Sequence, residues 1–324
     1  MISVVIVSYN TRDILRNCLQ ALFEHSKGID MEVFVVDNNS QDGSADMVKN
    51  EYPTVLLMAN NQNLGFAAAN NQAFPLAKGN YIVLLNPDAY IRPLSIQNSI
   101  AFMDKTPDCG LCGGKIISPA GQLEPSARRF PSALSKLLAL SGLRGKFPQS
   151  AILNYYEFGT FAHDRPQEVD WVPGTFTIVR KKMLDEIGAF DERFYIYYEE
   201  TDLCMRAKMA GWTIYFIPDA EVTHIGGASS KTRKDKSIEN KSAQVLIFRM
   251  RSEWLYYRKN KGLVAMLAAA YVELLWYALR YTKNLLLPSR EGEKKRIAAL
   301  LIIKQIVSSL QDTKFGSFSP PTPW

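Results

Sequence analysis

Asn86-Pro87-Asp88 follows the apolar run Tyr81 to Leu85 and sets two oxygen-bearing side chains around one proline. Hard oxygen ligands suit Mg²⁺ or Mn²⁺, and a cation held there would bridge the Asp88 carboxylate to a bound diphosphate. Asp37 opens the turn-forming run Asp-Asn-Asn-Ser-Gln-Asp-Gly-Ser, where a carboxylate can accept the imide N–H of uracil or thymine. A helix cap by Asp42 or Ser40 is the plainer use of that run, and both can hold at once. The turn from Asn60 to Phe66, containing Asn63 and Gly65, enters a helix of small residues whose first backbone amides favour phosphate or sugar oxygens. A simple loop and cap is an even alternative there. Glu199 and Glu200 open a helical stretch. Burial beside Tyr197, Tyr198 and Trp212 would raise a carboxyl pKa toward that of a working general base, whereas a solvated acidic helix start is favoured by the macrodipole alone. His224, one of three histidines, follows a strand and precedes Gly226-Gly227, so a flexible loop there can close over a diphosphate. Asp202 stands at i,i+4 from Arg206, the spacing of a structural ion pair.

These residues need a scaffold, and the apolar pattern predicts one. Ile2 to Ser8 is a β-branched run ending at Tyr9-Asn10, and Arg12 to Glu24 then carries helical spacing through Leu15, Cys18, Leu19 and Leu22. Strand-like runs recur at Met31 to Val36, Val55 to Met58 and Tyr81 to Leu85, each ending in polar residues. Such strands, alternating with helices, predict an α/β fold with a mostly parallel central sheet buried on both faces. Ligands of open α/β sheets sit beyond the carboxyl ends of the strands, where both Asp37 and Asp88 fall. After Leu111 to Ile117, the proline-rich segment Ser118 to Pro166 has no steady period and is expected to form a variable lobe covering the site and contributing to an acceptor pocket. Regularity returns at Val169 to Val172, at Thr175 to Val179, in a helix from Glu199 to Met209, and in strands near Ile214 and Val222. Ser229 to Lys241 is a polar, basic linker, followed by helices at Ser242 to Asn260, Leu263 to Leu287 and Glu291 to Leu310. The expected organisation is a catalytic domain at 1–228, a basic helical extension at 229–314 and a disordered tail at 315–324.

Composition narrows the classes. Hydrophobic residues make up 47% and charged residues 22% of the 324, which excludes a disordered chain. The net charge of +6 is uneven: residues 1–228 carry 20 Lys/Arg against 25 Asp/Glu, and residues 229–324 carry 18 against 7. An acidic first part suits a bound cation, while a basic, apolar second part suits an anionic membrane surface. No recognition motif accompanies the basic residues, which argues against nucleic acid. Cys18, Cys109, Cys112 and Cys204 are too few and scattered for a disulfide framework and read as buried, reduced thiols of a cytoplasmic protein. The first residues carry no basic region and no cleavage site, so they read as a strand and not as a signal peptide. A dinucleotide oxidoreductase would place GxGxxG after the first strand, where Ser8-Tyr9-Asn10-Thr11 stands instead.

A resemblance then emerges from motifs in order: Val-Ser-Tyr-Asn at Val7 to Asn10, Val-Asp-Asn-Asn-Ser at Val36 to Ser40, Asn-Leu-Gly-Phe at Asn63 to Phe66 and Leu-Asn-Pro-Asp at Leu85 to Asp88. The series continues with Pro173-Gly174, Gly188-Ala189-Phe190-Asp191-Glu192, Tyr198 to Leu203, and His224 to Ser229. Together these resemble family 2 glycosyltransferases, most closely the bacterial rhamnosyltransferase-like branch. The resemblance implies a GT-A fold, an inverting single displacement and a divalent cation. It places Ser8, Tyr9, Asn10, Asp37, Asn63, Gly65 and Asn86 on the donor nucleotide, with Asp37 reading the base. It places Asp88 and His224 on the metal, and Trp171, Gly174 and Asp191 near the donor sugar or acceptor. Glu200 stands where the family usually has the aspartate base, with Glu199 as the alternative. The strand-end triplet often starts with a carboxylate, but here it starts with Asn86, leaving the ion one carboxylate fewer.

The implied reaction moves a sugar, L-rhamnose from dTDP-rhamnose, onto a glycan or polyprenyl-linked acceptor in cell-envelope polysaccharide synthesis. A UDP-sugar hexosyltransferase and a noncatalytic nucleotide-sugar-binding protein are the alternatives. Gly262 to Leu279 contains one charge, Glu273, and is followed by Arg280 and Lys283. It barely reaches spanning length, so an in-plane helix at the inner face of the cytoplasmic membrane is expected, with Trp276, Tyr277 and Tyr281 at the interface. A homodimer or packing helix is the competing reading.

Overall fold

The computed structural model describes residues 1–226, 241–287 and 289–320. Gly227, Ala228 and Ser229 of the expected glycine loop, most of the expected linker and residues 321–324 lie outside the described residues. In chain order the described elements are β1 (Ile2–Ser8), α1 (Arg12–His25), β2 (Met31–Asp37), α2 (Ser44–Glu51), β3 (Leu56–Ala59), α3 (Phe66–Ala73), β4 (Tyr81–Leu85), β5 (Ala89–Ile91), α4 (Ser95–Lys105), β6 (Cys109–Ile117) and β7 (Leu123–Glu124). Then come α5 (Ala133–Leu140), α6 (Leu143–Lys146), β8 (Gln167–Glu168), β9 (Phe176–Arg180), α7 (Lys181–Ile187), α8 (Glu199–Met209), β10 (Thr213–His224), α9 (Lys241–Leu286) and α10 (Arg290–Asp312).

The chain forms two compact units that do not follow chain order: Met1–Arg129 with Phe161–Tyr195 and Glu199–Lys241, and Phe130–Thr160 with Ile196–Tyr198 and Ser242–Trp324. This cuts across the contiguous division at 228 and 314 expected from the sequence. Residues 130–160, expected to be a lobe of the catalytic domain, fold with the C-terminal helices.

The first unit is built on a sheet ordered β3-β2-β1-β4-β9-β6-β10-β5, with β7 beside β6 and β8 beside β10. Strands β3, β2, β1 and β4 are mutually parallel, as expected. The whole sheet is mixed, because β9 runs antiparallel to both β4 and β6, and β5, β7 and β8 are also antiparallel to their neighbours. All seven residues of β1 and all five of β4 are buried, which fits their lack of a polar face. Helix α1 buries Leu15, Cys18, Leu19 and Leu22, at i, i+3, i+4 and i+7, and full burial of each leucine contributes about 2 kcal/mol. The four cysteines are free and buried. The two strands expected near Ile214 and Val222 are one strand, β10, whose register against β6 breaks between Ile217 and Glu221. Gly114 permits that irregularity, since a Cβ there would stand 2.0 Å from the Ala220 carbonyl oxygen. Val169 to Val172, where regularity was expected to return, contributes an isolated bridge between Trp171 and Arg128.

The second unit is helical. The helices expected on either side of Gly262 form one element, α9, broken at that glycine with φ 83°. Helix α5 starts at a capping box of Ser132 and Ser135, and the Ser289 hydroxyl caps α10 by accepting from Gly292 N–H. The core centres on Trp254, Tyr256 and Tyr257, with the Trp254 indole N–H donating to Ser309 Oγ at 2.8 Å. The tail expected to be disordered from Phe315 begins as turns: the N–H groups of Phe315 and Phe318 donate to the carbonyls of Leu310 and Thr313 at 2.7 and 2.9 Å.

Candidate active site

Strand register brings the first unit's chemistry to one edge. Parallel β1 and β2 pair Ser8 with Asp37, and the register that pairs Val5 with Leu84, carried past the end of β4, sets Ser8 beside Pro87. Antiparallel β9 starts where β4 ends, with Leu85 opposite Phe176 and Asn86 N–H donating to the Thr175 carbonyl at 3.0 Å. Gly174 therefore arrives next to Asn86. From the other side of the sheet, β10 pairs His224 with Ala89 of β5, and Ile225 N–H donates to the Asp88 carbonyl at 3.0 Å.

Asp88 is nearly buried, at 6% exposure, and its Oδ1 lies 3.6 Å from His224 Nε2, beyond hydrogen-bond reach. The other imidazole nitrogen, Nδ1, lies 3.2 Å from Glu124 Oε2 on β7. Glu124 was not singled out in the sequence: a two-residue strand gives no periodicity to mark it. A carboxylate against one ring nitrogen fixes the direction of the other, the arrangement common behind metal-binding histidines. Among the described residues no group of three or more His, Cys, Asp or Glu is placed to hold an ion alone.

Asp37 is 3% exposed. Its Oδ2 accepts from Ser40 N–H at 2.9 Å, while its Oδ1 has no partner, and burial pushes its pKa up. Gly43 is the N-cap of α2, without a side-chain cap bond, while Asp42 accepts from Ser44 N–H at 3.0 Å and from Arg12 N–H at 2.8 Å. Asn10, at φ 52°, accepts Gln41 N–H on its side-chain oxygen at 2.7 Å and gives its own N–H to Ser40, tying the ends of β1 and β2 together. The Ser8 hydroxyl pairs with Thr11 at 2.9 Å, and Tyr9 is half-buried.

Asn63 and Gly65, expected on the donor, also shape the loop they stand in. Asn63 Oδ1 accepts from Asn38 Nδ2, Gly65 N–H and the Tyr195 hydroxyl at 3.0, 3.0 and 2.8 Å. Gly65 has φ 87°, and a Cβ there would come within 2.5 Å of the Tyr195 carbonyl oxygen, so the position excludes a side chain on two counts. Asn38 is the organiser that sequence reading passed over: it also donates to the Gly65 carbonyl and accepts from Asn60 Nδ2 and Leu64 N–H. Its signal was adjacency to Asp37.

The chain enters α8 through Tyr197 and Tyr198, both at φ 69°, a region that bulky residues rarely adopt and that clusters at functional sites. Glu199 is 4% exposed, and Glu199 Oε2 and Glu200 Oε2 are buried without partners. Burial raises Glu200 to about 7, opposed by the backbone N–H groups of Glu200, Thr201 and Gly174 that donate to it. The Gly174 bond joins Glu200 to the sheet edge beside Asn86. Burial, then the neighbouring Glu200 charge, pushes Glu199 well above the usual carboxyl range. Of the aromatic rings expected around this pair, Tyr198 packs at a tilt against Tyr256, and Trp212 donates to Glu186 at 3.1 Å. Asp202 forms the expected ion pair with Arg206 at 2.9 Å. Trp171 gives its indole N–H to the Arg129 carbonyl at 2.9 Å, and Asp191 is held by Arg193 at 2.7 Å.

With a buried carboxylate and an Asp–His pair at the carboxyl edge of this sheet, the chain belongs to glycosyl transferase family 2, whose model matches residues 3–188. The chain is 30% identical over 207 residues to N-acetylglucosaminyl-diphospho-decaprenol L-rhamnosyltransferase of Mycobacterium tuberculosis, covering 60% of this chain and 66% of that protein, just under two thirds. It is 29% identical over 263 residues to the dTDP-rhamnosyl transferase RfbF of Shigella flexneri, covering 79% of each. Among solved structures, the mannosyltransferase PcManGT of Pyrobaculum calidifontis, in complex with GDP-Man and Mn²⁺, superposes with TM-score 0.52 at 15% identity, over 97% of this chain and 87% of that one. The fold is GT-A, as the sequence motifs implied.

Proposed function

We propose that this chain is an inverting glycosyltransferase that moves L-rhamnose from dTDP-rhamnose to a lipid-linked glycan acceptor in cell-envelope polysaccharide synthesis, at the cytoplasmic face of the membrane. The carrying observation is Glu200: a buried carboxyl raised to about 7, fastened through Gly174 to the sheet edge, with one oxygen that no group among the described residues satisfies. A general base needs such an oxygen for the acceptor hydroxyl and a pKa near the working pH. Glu199 is pushed up as well, by burial and then by the Glu200 charge beside it, and the base is assigned to Glu200 because Gly174 fastens that carboxyl to the sheet edge. The unpartnered Asp37 oxygen accepts the imide N–H of thymine, while Asn38 and Asn63 hold the adjoining loop in shape. The likeness to two rhamnosyltransferases supports the sugar, and the decaprenol-linked acceptor in the mycobacterial relative's name supports the acceptor class.

The donor set at Asp88 and His224 fits Mg²⁺ or Mn²⁺. A carboxylate oxygen and an imidazole nitrogen 3.6 Å apart can both reach an ion that prefers ligands at ~2.1 Å. Bound there, the cation neutralises charge on the departing nucleoside diphosphate. Two protein ligands make a weak site alone, so metal binding is expected to depend on the donor's phosphates.

The test is release of nucleoside diphosphate from a panel of nucleotide sugars with Mn²⁺ or Mg²⁺ and a polyprenyl-diphospho-sugar acceptor. Turnover with dTDP-rhamnose above UDP-hexoses is the expected result. Donor binding without turnover on any acceptor would mark a nucleotide-sugar sensor instead.

A further inference from the structure

Helix α9 is apolar on the wrong side for a soluble protein. From Leu263 to Leu279, about 25 Å of helix, every exposed residue is uncharged, including Leu263, Val264, Leu267, Tyr271, Leu275 and Leu279. Val264 is 82% and Tyr271 64% exposed. The only charged residue of that stretch, Glu273, points the other way: it is 7% exposed and paired with Lys136 of α5. Lys136 also pairs with Glu253 at 3.0 Å and lies over the Trp254 ring at 4.5 Å. The polar side of this helix segment is therefore fastened to its own unit, and the leucines are left outside. At the end of the apolar face stand exposed Arg280 and Lys283, and α10 adds exposed Lys294 and Lys304 beside exposed Ile297, Leu300 and Leu301.

We propose that the Leu263 to Leu279 face of α9 lies in the plane of an anionic phospholipid bilayer, with Arg280 and Lys283 at its headgroups. The occupant follows from charge and from the buried acid. A second copy of this chain would bring like charges together, because residues 229–324 carry 18 Lys/Arg against 7 Asp/Glu, whereas anionic headgroups gain from the same excess. By length and composition α9 could cross a membrane, with only 22% of its most apolar window buried. Crossing would carry the Glu273–Lys136 pair and the second carboxylate, Glu253, toward hydrocarbon. Lying flat keeps all three charges on the protein side.

The experiment is flotation of the full chain with vesicles of phosphatidylcholine alone and of equimolar phosphatidylcholine and phosphatidylglycerol. No nucleotide sugar is present, so the outcome does not depend on the transferase reading. Wild type floats with the anionic vesicles, and high salt weakens it. Arg280→Gln with Lys283→Gln lowers vesicle affinity by roughly fivefold per charge removed. Val264→Glu with Leu275→Glu, both at exposed positions, abolishes flotation while circular dichroism and melting stay as in wild type. Several results would overturn the proposal: no binding to anionic vesicles, flotation unaffected by the glutamates, a dimer in light scattering that the glutamates dissolve without any flotation, or resistance to carbonate extraction from membranes.

Discussion

Two buried carboxyl clusters in this chain are built on opposite terms. In the helical unit, Glu253 and Glu273 share the Lys136 ammonium. Burial pulls that ammonium's pKa down, and its two carboxylates more than reverse the effect. In the sheet unit, Glu199 and Glu200 are buried side by side, each with an oxygen that no partner among the described residues satisfies. The first cluster is closed and holds helices α5 and α9 together across the break at Gly262. The second is open, and an open buried acid is tolerated where a ligand is to complete it. In the proposed reaction, the difference separates charge that serves the fold from charge that serves chemistry.

Matched substitutions in the two clusters should move stability in opposite directions. Glu200→Gln has the largest expected effect, a fall of about 10³-fold in sugar transfer with donor binding kept. In wild type, transfer should rise as pH climbs through about 7, because Glu200 must lose its proton to act. The same variant should be more stable than wild type at pH 8. A carboxyl raised from 4.5 to about 7 on folding keeps a proton that the unfolded chain releases. Stability is therefore lost as pH rises from about 4.5 through 7, and Gln removes a cost of roughly 1–3 kcal/mol above that window. Urea unfolding at pH 5 and pH 8 reads the gain, which should appear only at the higher pH. In the helical unit, Lys136→Met should cost about 3–5 kcal/mol by removing the ammonium that both carboxyls pair with. Adding Glu253→Gln and Glu273→Gln to it should return most of that loss. If Glu200→Gln and Lys136→Met destabilise alike at pH 8, the distinction between open and closed clusters fails.

What the sequence made legible follows the same division. Runs such as Ile2 to Ser8 and Tyr81 to Leu85 announce fully buried parallel strands, and their polar ends place Asp37 and Asp88 on one edge before any coordinates are known. The partners that complete those residues come from pairings with no local signature. His224 reaches Asp88 through β5, three residues too short to show a period, and through a β10 whose irregularity depends on Gly114. Residues 130–160 read as an aperiodic lobe because α5 buries none of its residues deeply, so its helical spacing carries no core stripe. Its attachment to the C-terminal unit rests on Lys136, a charge that sequence patterning assigns to the surface. Asn63 shows a related ambiguity: an asparagine facing a ligand and one facing its own loop look the same in sequence, and only the structure shows three donors converging on its oxygen.

The smallest expected effect tests whether the open cluster extends to His224. Glu124 is about half exposed at its side chain, 45%, and touches only the far nitrogen of the imidazole, so its removal should disturb direction and not remove a ligand. Glu124→Ala should raise the Mn²⁺ concentration needed for half-maximal donor-dependent binding by about tenfold, the lower end of what partners behind metal-bound histidines contribute. Glu124→Gln keeps an acceptor for the same ring N–H and should recover most of the affinity. Direct titration of Mn²⁺ by electron paramagnetic resonance, in the presence of dTDP, separates this from any change in turnover. Equal losses in the alanine and glutamine variants would mean that the carboxylate acts through its charge and not by orienting the ring. Unchanged affinity in both would confine the metal site to the Asp88 side of the imidazole.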